Sequence, residues 1–547
     1  MSWKARFLDG SSYRLFASVL VAVGVLLRLR QYLACESVWT DEAHLLVNLT
    51  HASPARVVTG PLNYVPLLVG HPNATQAGPP LALLTIKGFI TAWPQSEYAA
   101  RFLPFISSVL SLPLFALVAR RLLTPAAALA ALALLALSEP VILQAANAKQ
   151  YSSDALAAVV MLFLATLPSP AQPLRRLVVC SLAATVLVWF SHPSVFVYAA
   201  ASVALGYEAW RGARSDSKTE TAGPSRSRVL LSWVAINIPP GVSFLALYWF
   251  SVRTQTDPFL RTYWAEGFAD YSNPLGLPKW LATQIVEAGS YPPVAFTWVL
   301  PVLTFVAMAL GSRGTDGRTA DESAAPGRMT ARFAVTVAAG PLLFVVFAAF
   351  MRQYPLVGKR LCFFLLPCTM LAAALGADLL AARLRGVWPR VVAGIVAVVI
   401  AGTAVRAASI TLDPRSQGDV RAAVRHVLAH RAPGEPVYVW GGKASSVVRF
   451  YIPTPDENIH LTADYRKPPE GKTFWVIAQL GRWGTTTEKH DERFEEKLEE
   501  MRKEMALTDS LKAHRVGAYR FSREAPPAAP VTPAPASARR ADASRGG

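Results

Sequence analysis

Long apolar runs alternate with short charged segments over most of the chain. A helix that crosses a bilayer needs about 20 predominantly apolar residues. Runs near that length cover Tyr13–Leu33, Arg101–Arg120, Thr124–Pro140, Ser152–Leu167, Leu177–Phe190 and Ser194–Trp210. Others cover Val229–Ser251, Val294–Leu310, Ala331–Phe350, Leu361–Leu380 and Val391–Ala408. The pattern therefore predicts about 11 crossings, several of them near the short limit. Pro80 to Trp93 is shorter, opens on Pro79-Pro80 and carries Lys87, so it reads as a helix lying in the interface. Past Ala408 the periodicity changes. Val420, Val424, Val427 and Leu428 recur at helical spacing, Val437 to Trp440 reads as a strand, and Phe474 to Ala478 is a second short apolar run. Phe494, Leu498, Met501 and Met505 stripe a charged helix, and Ala518 to Phe521 reads as a closing strand.

The fold expected is thus mainly α: a polytopic transmembrane helical bundle followed by a small C-terminal extracytoplasmic α/β domain. The bundle spans residues 1–410, with a long first outer loop at 34–100. The soluble domain spans 411–524, and the Pro/Ala-rich, basic tail 525–547 has the composition of a disordered segment.

Composition sharpens this picture. Of 547 residues, 52% are hydrophobic and 16% charged, against about 25% charged in soluble proteins. The net charge of +18 does not point to nucleic acid, because the cations fall in short loops between apolar runs. Arg120-Arg121, Arg175-Arg176, Arg211–Arg228, Arg313–Arg328 and Arg383–Arg390 all share one side if the amino terminus is cytoplasmic. Basic loops face the cytoplasm, so a multi-pass protein of the inner (plasma) membrane is expected, with its C-terminal domain outside. Cys35, Cys180, Cys362 and Cys368 form no C-x-x-C pair and imply no disulfide framework.

Three polar clusters lie on the side this topology calls outer. The first is Trp39-Thr40-Asp41-Glu42-Ala43-His44, just past the first span. Carboxylates beside hydrocarbon are costly unless they meet water, a partner or a ligand, and an aspartate here can take a proton from a hydroxyl. The second runs from Gln144 to Asp154 and carries Lys149, a cation where orientation asks for none. The third is Arg352-Gln353-Tyr354-Pro355-Leu356-Val357-Gly358-Lys359-Arg360. Cations on outer loops suit an anionic ligand such as a phosphate, although snorkelling to lipid headgroups is the plain alternative. His192-Pro193 breaks an apolar stretch at an outer turn, where a lone histidine more often serves the turn than a ligand. No H-E-x-x-H spacing links the outer histidines, so no metal site built from protein alone is expected there.

Carboxylates and cations from separate segments on one face are what phosphate-linked sugar transfer requires: a base for the acceptor and fixed cations for the leaving phosphate. The segment Arg28-Leu29-Arg30-Gln31-Tyr32 through Val38-Trp39-Thr40-Asp41-Glu42-Ala43 resembles the first-loop signature of the GT-C superfamily. Within it, the chain resembles the protein mannosyltransferase and lipid A aminoarabinose transferase-like group. Gly78-Pro79-Pro80-Leu81 with Glu97-Tyr98-Ala99-Ala100-Arg101-Phe102-Leu103-Pro104, then Ala148-Lys149-Gln150-Tyr151-Ser152-Ser153-Asp154, are similar to its next elements. Tyr354-Pro355 with Gly358-Lys359-Arg360 and Pro367 resembles a later one, and Asp419 to Tyr451 looks like the soluble domain of bacterial members.

That resemblance implies inverting transfer of a sugar from a polyprenyl-phosphate-linked donor to an acceptor hydroxyl on the outer face of the cytoplasmic membrane. It makes Asp41 the base, with Glu42 beside it. It places Lys149, Arg360, Lys359 and Tyr151 at the donor phosphate, with His192, Arg101 and Tyr354 in support. Some members use a divalent metal and others none, and the motifs here place no ligands. The usual acidic residue two before the lysine is Asn147 here, and Asp154 replaces it only if its span faces the cavity. The partners expected are the donor lipid and the bilayer, and no nucleic acid. The competing reading is a transporter or lipid flippase, which would show broken helices and repeated halves; neither is visible in the sequence.

Overall fold

The computed structural model describes residues 10–64, 78–94, 96–168, 172–215, 225–255, 258–289, 298–312, 329–358, 360–414, 418–452, 456–461, 464, 466, 469–479 and 490–524. Lys359, the loop 313–328, residues 216–224 of the loop 211–228 and the tail 525–547 lie outside the described residues. Contacts divide the chain into two compact units, Met1–Glu36 with His44–Arg415, and Ser37–Ala43 with Ser416–Gly547.

The first unit is helical. Its elements are α1 (Gly10–Ala34), most of α2 (Thr40–His51), α3 (Pro54–Thr59), α4 (Pro80–Ala92), α5 (Glu97–Leu122), α6 (Pro125–Leu137), α7 (Glu139–Ala145), α8 (Tyr151–Ala165), α9 (Pro173–Phe190) and α10 (Ser194–Ser215). There follow α11 (Arg226–Leu247), α12 (Leu277–Gly289), α13 (Val299–Ser312), α14 (Ala331–Phe350), α15 (Leu365–Arg383) and α16 (Trp388–Leu412). Each apolar run read from the sequence corresponds to a helix. Among the described residues, seven helices are long and apolar enough to cross a membrane, or eight with the bent pair α6 and α7 counted as one span. The helices α8 and α13 fall short, as does α4, read from sequence as interfacial. The protein is a multi-pass membrane protein.

Local chemistry sets the helix ends. Ser96 Oγ accepts the Ala99 N–H at 3.2 Å to start α5, and Thr330 Oγ1 accepts the Phe333 N–H at 3.2 Å to start α14. Proline sits inside α5 at Pro104 and Pro113 and inside α14 at Pro341, which membrane helices accommodate more readily than soluble ones. Helix α15 is buried almost continuously from Leu365 to Gly376 and forms the centre of the bundle. A Cβ on Gly376 would sit 1.9 Å from the Leu303 carbonyl oxygen, so glycine lets α13 and α15 approach backbone to backbone. Outward, Leu230, Leu231, Ile238, Val242 and Leu245 of α11 are exposed, as a lipid-facing surface must be.

The span read as Thr124–Pro140 is broken, which corrects the expectation of no broken helix. Helices α6 and α7 meet at Ser138 with a bend of 50°. Arg28 of α1 is fully buried there. Its guanidinium donates to the carbonyls of Leu135 at 3.1 Å, Ala136 at 3.0 Å and Gly24 at 2.8 Å, and to Ser108 Oγ at 2.8 Å. A cation thus caps the C-terminus of α6, where the helix dipole is negative and carbonyls lack partners.

The second unit is a five-stranded sheet in the order β2-β1-β3-β5-β4 with three helices. Helix α17 (Val420–His430) leads to β1 (Val437–Trp440), α18 (Gly442–Tyr451), β2 (Ile459–His460), β3 (Thr473–Gln479), α19 (His490–Glu504), β4 (Ala506–Ala513) and β5 (Val516–Ser522). Strands β2, β1 and β3 pair in parallel, and β3, β5 and β4 antiparallel. Phe494, Leu498, Met501 and Met505 pack with Trp440, Phe474, Tyr519 and Phe521. Helix α18, β2 and β4 are additional to the elements read from sequence, and Leu428 is exposed rather than buried. Strand β4 was hidden because its side chains alternate with polar residues at a sheet edge, with no continuous apolar run.

Candidate functional site

Opposite ends of α8 carry opposite kinds of chemistry. At its C-terminal end, Arg121 Nη1 donates to the Phe163 carbonyl at 3.3 Å, and the Met329 N–H donates to the Arg121 carbonyl at 3.4 Å. Arg176 pairs with Glu208 at 2.8 Å and reaches Met329 Sδ at 3.5 Å. Arginines from two of the loops assigned to the inner face therefore gather at one end. Fifteen helical residues span roughly 22 Å, and the second outer cluster sits at the far end.

That far end collects three separate segments of the membrane unit. Lys149 and Tyr151 are buried at the α7–α8 connection, which is tightened by a bond from Ser152 Oγ to the Gln144 carbonyl at 2.9 Å. Asp154, one turn into α8, is buried beside Ser191. Ser191 and His192 form the turn that starts α10, where Ser194 Oγ donates to the Ser191 carbonyl at 2.7 Å. Tyr354 lies near Asp154 and Tyr151, and it meets Phe196 of α10 edge to face at 5.2 Å. Its hydroxyl donates to the Leu361 carbonyl at 2.7 Å, which folds the loop back on itself and places Arg360 in a half-buried turn. Gly358 is required there, since a Cβ would come within 2.3 to 2.5 Å of Glu287.

Several polar atoms in this cluster are sealed from solvent without a hydrogen-bond partner among the described residues. They include Asp154 Oδ1, Ser153 Oγ, His192 Nε2 and Gln144 Oε1. Buried polar atoms are normally satisfied by protein or water, so such a group marks a place where a polar ligand or water belongs. Sequence reading named His192 and left Asp154 conditional on its orientation. The fold places Asp154 with the Ser191 turn and Tyr354, which only the packing of α8 against α9 and α10 decides.

Arg101 is buried on α5, and its Nη1 donates to the Glu36 carbonyl at 2.6 Å. Tyr32 OH donates to the Tyr98 carbonyl at 2.8 Å and stacks on Phe105 at 4.4 Å. These contacts fasten the end of α1 to α5 where the first outer loop begins.

Asp41 and Glu42 lie in the first turn of α2, in the segment Ser37–Ala43 that contacts assign to the second unit. Two acidic residues at a helix start suit the positive end of the dipole. Glu42 is buried and its Oε2 accepts the Trp39 N–H at 3.3 Å, half of a capping box. Asp41 is half-buried. The segment is held by α18 and α17: Tyr451 OH accepts the Val38 N–H at 2.9 Å, and Ser37 Oγ accepts the Arg421 N–H at 3.2 Å. Among the described residues, no group of three metal-ligating side chains gathers at Asp41 or at Asp154.

No family model matches the chain, and no curated protein matches it. Among solved structures, ArnT from Cupriavidus metallidurans bound to undecaprenyl phosphate is similar over 92% of this chain and 97% of that one, at 15% identity and a TM-score of 0.44. Its apo state has the same coverage and TM-score at 13% identity. An Archaeoglobus fulgidus oligosaccharyltransferase, in complex with Zn and sulfate, is similar over 84% of this chain and 68% of that one, at 11% identity and a TM-score of 0.41.

Proposed function

We propose that this protein is a GT-C-type glycosyltransferase of the membrane, which moves a sugar from a polyprenyl-phosphate carrier to an acceptor hydroxyl on the outer face. The acceptor oxygen attacks the anomeric carbon from the side opposite the phosphate, and configuration inverts. Asp41 takes the acceptor proton. The carbon–oxygen bond to the phosphate breaks, and its electron pair stays on the phosphate oxygen. Lys149, with Arg360 and Lys359, stabilises that charge, strongly so in a site poor in water. Tyr151, His192 and Tyr354 support the donor end, and Arg101 holds the Glu36 carbonyl at the end of the first span.

One observation carries this reading: a buried lysine, a half-buried arginine turn and a set of unpartnered polar atoms meet at one end of the helical unit. A transporter also uses broken helices, whose freed carbonyls hold ions. Here the Leu135 and Ala136 carbonyls at the break are taken by Arg28, which removes that use.

The test is transfer rate against polyprenyl-phosphate sugar concentration in nanodiscs. Lys149→Ala and Arg360→Ala should each weaken donor use, and Arg360→Lys should fall between, because it keeps charge and loses the two-pronged geometry. Unchanged saturation curves and maximal rates for both alanine variants would remove these residues from the site and reopen the snorkelling explanation.

A further inference from the structure

Within the C-terminal unit, α17 and β4 bring three metal-ligating side chains together. His426 and His430 are four residues apart on α17 and so rise from one face of it. Asp509 stands on β4, the edge strand of the sheet. His426 Nε2 lies 3.1 Å from Asp509 Oδ1. One ligand atom from each of the three lies within 4.8 Å of the other two.

We propose that His426, His430 and Asp509 form a binding site for a divalent transition-metal ion of the zinc type, with solvent at the fourth position. Two imidazoles and a carboxylate are a donor set that zinc accepts. Zinc–nitrogen and zinc–oxygen bonds near 2.1 Å at tetrahedral angles put ligand atoms about 3.4 Å apart, close to the spacing His426 and Asp509 already have. The tautomer of His430 is settled by a second contact. Its Nδ1 lies 2.8 Å from the His426 carbonyl oxygen. A carbonyl can only accept, so Nδ1 carries the proton and Nε2 keeps its lone pair. Backbone anchoring of the ring nitrogen remote from the metal is the usual support for a ligating histidine. The ring of His426 is held between His430 at 4.3 Å and the edge of buried Trp475 at 5.6 Å. A bound ion would tie α17 to the edge strand β4. The site lies entirely within the C-terminal unit and does not rest on the transferase reading.

The simpler account of the same contacts is a histidine–aspartate ion pair with no metal. Calorimetric titration of zinc into the full-length protein separates the two. The protein is prepared in detergent without a polyhistidine tag and stripped of metal with a chelator. One equivalent should bind with a micromolar dissociation constant. His430→Ala and Asp509→Asn should each weaken it by about tenfold or more, and His460→Ala, a histidine elsewhere on the same sheet, should leave it unchanged. Zinc should also raise the melting temperature of the wild type and not that of His430→Ala, a surface change whose folding is checked by circular dichroism. Absence of stoichiometric binding, or binding that survives both ligand variants undiminished, would overturn the proposal.

Discussion

Asp41 and Glu42 are adjacent in the first turn of α2, and a pair of variants separates their proposed roles. Glu42 accepts the Trp39 N–H and so helps to begin the helix, a role that glutamine also fills at this position. Asp41→Asn should lower the transfer rate by about 10²–10⁴-fold, the usual loss for a positioned base, with donor binding intact. Glu42→Gln should retain most of the rate. Equal loss in both variants, measured as turnover at saturating donor, would bring Glu42 into the chemistry as well. Glu435 offers a pH-dependent test in the C-terminal unit. Burial alone would raise its pKa. The bonds from Arg520 at 2.8 and 3.2 Å, the Ala432 amide and the Arg520 charge outweigh that and hold it below the ordinary 4.5. A lowered folded value means the stabilisation is complete above pH 4.5 and fades as pH falls through the folded value. Glu435→Gln should destabilise this unit by about 2 kcal/mol at neutral pH and flatten its acid sensitivity. A melting curve with the wild-type pH dependence would contradict the assignment.

At the scale of elements, the break between α6 and α7 sets where the α7–α8 connection and its lysine can lie. Its integrity depends on Arg28, which is buried and bonded to three carbonyls and a serine hydroxyl. Arg28→Ala leaves those carbonyls in an apolar interior, at a cost of about 1–3 kcal/mol each when buried without partners. Thermal unfolding followed by thiol exposure of the buried Cys180, Cys362 and Cys368 should report a large loss of stability. Arg28→Lys should recover part of it. A melting temperature unchanged in Arg28→Ala would mean that the bent pair holds its shape by packing alone. The sequence showed Arg28 only as a charged residue inside an apolar run, since the carbonyls it caps belong to a helix more than a hundred residues away.

For the whole molecule, orientation is the property on which the site assignments depend. Arg121 and Arg176 gather at one end of the helical unit, and Lys149, Asp154 and Tyr354 at the other. The positive-inside rule makes the first end cytoplasmic. A reporter active only outside the cytoplasm, fused after Arg520, should be active, and one inserted between residues 211 and 228 should be silent. The reverse pattern would put the candidate site on the wrong face for a donor presented outside.

The sequence by itself determined the apolar helices of the membrane unit, because apolar length and the bilayer's refusal of unpaired backbone leave few alternatives; α2, α3 and α12 lie outside those runs. It also marked β1 and the closing strand β5 of the C-terminal unit, and the polar segments that carry Asp41, Lys149 and Arg360. Tertiary structure decided what periodicity cannot encode. It decided that the third apolar run is bent at Ser138, that Asp154 faces the Ser191 turn, and that Tyr451 holds the segment leading to Asp41. It brought His426 and His430 to Asp509 across 83 residues of chain. Each of these rests on a contact between elements distant in sequence, and a linear pattern carries no record of which distant element will supply the partner.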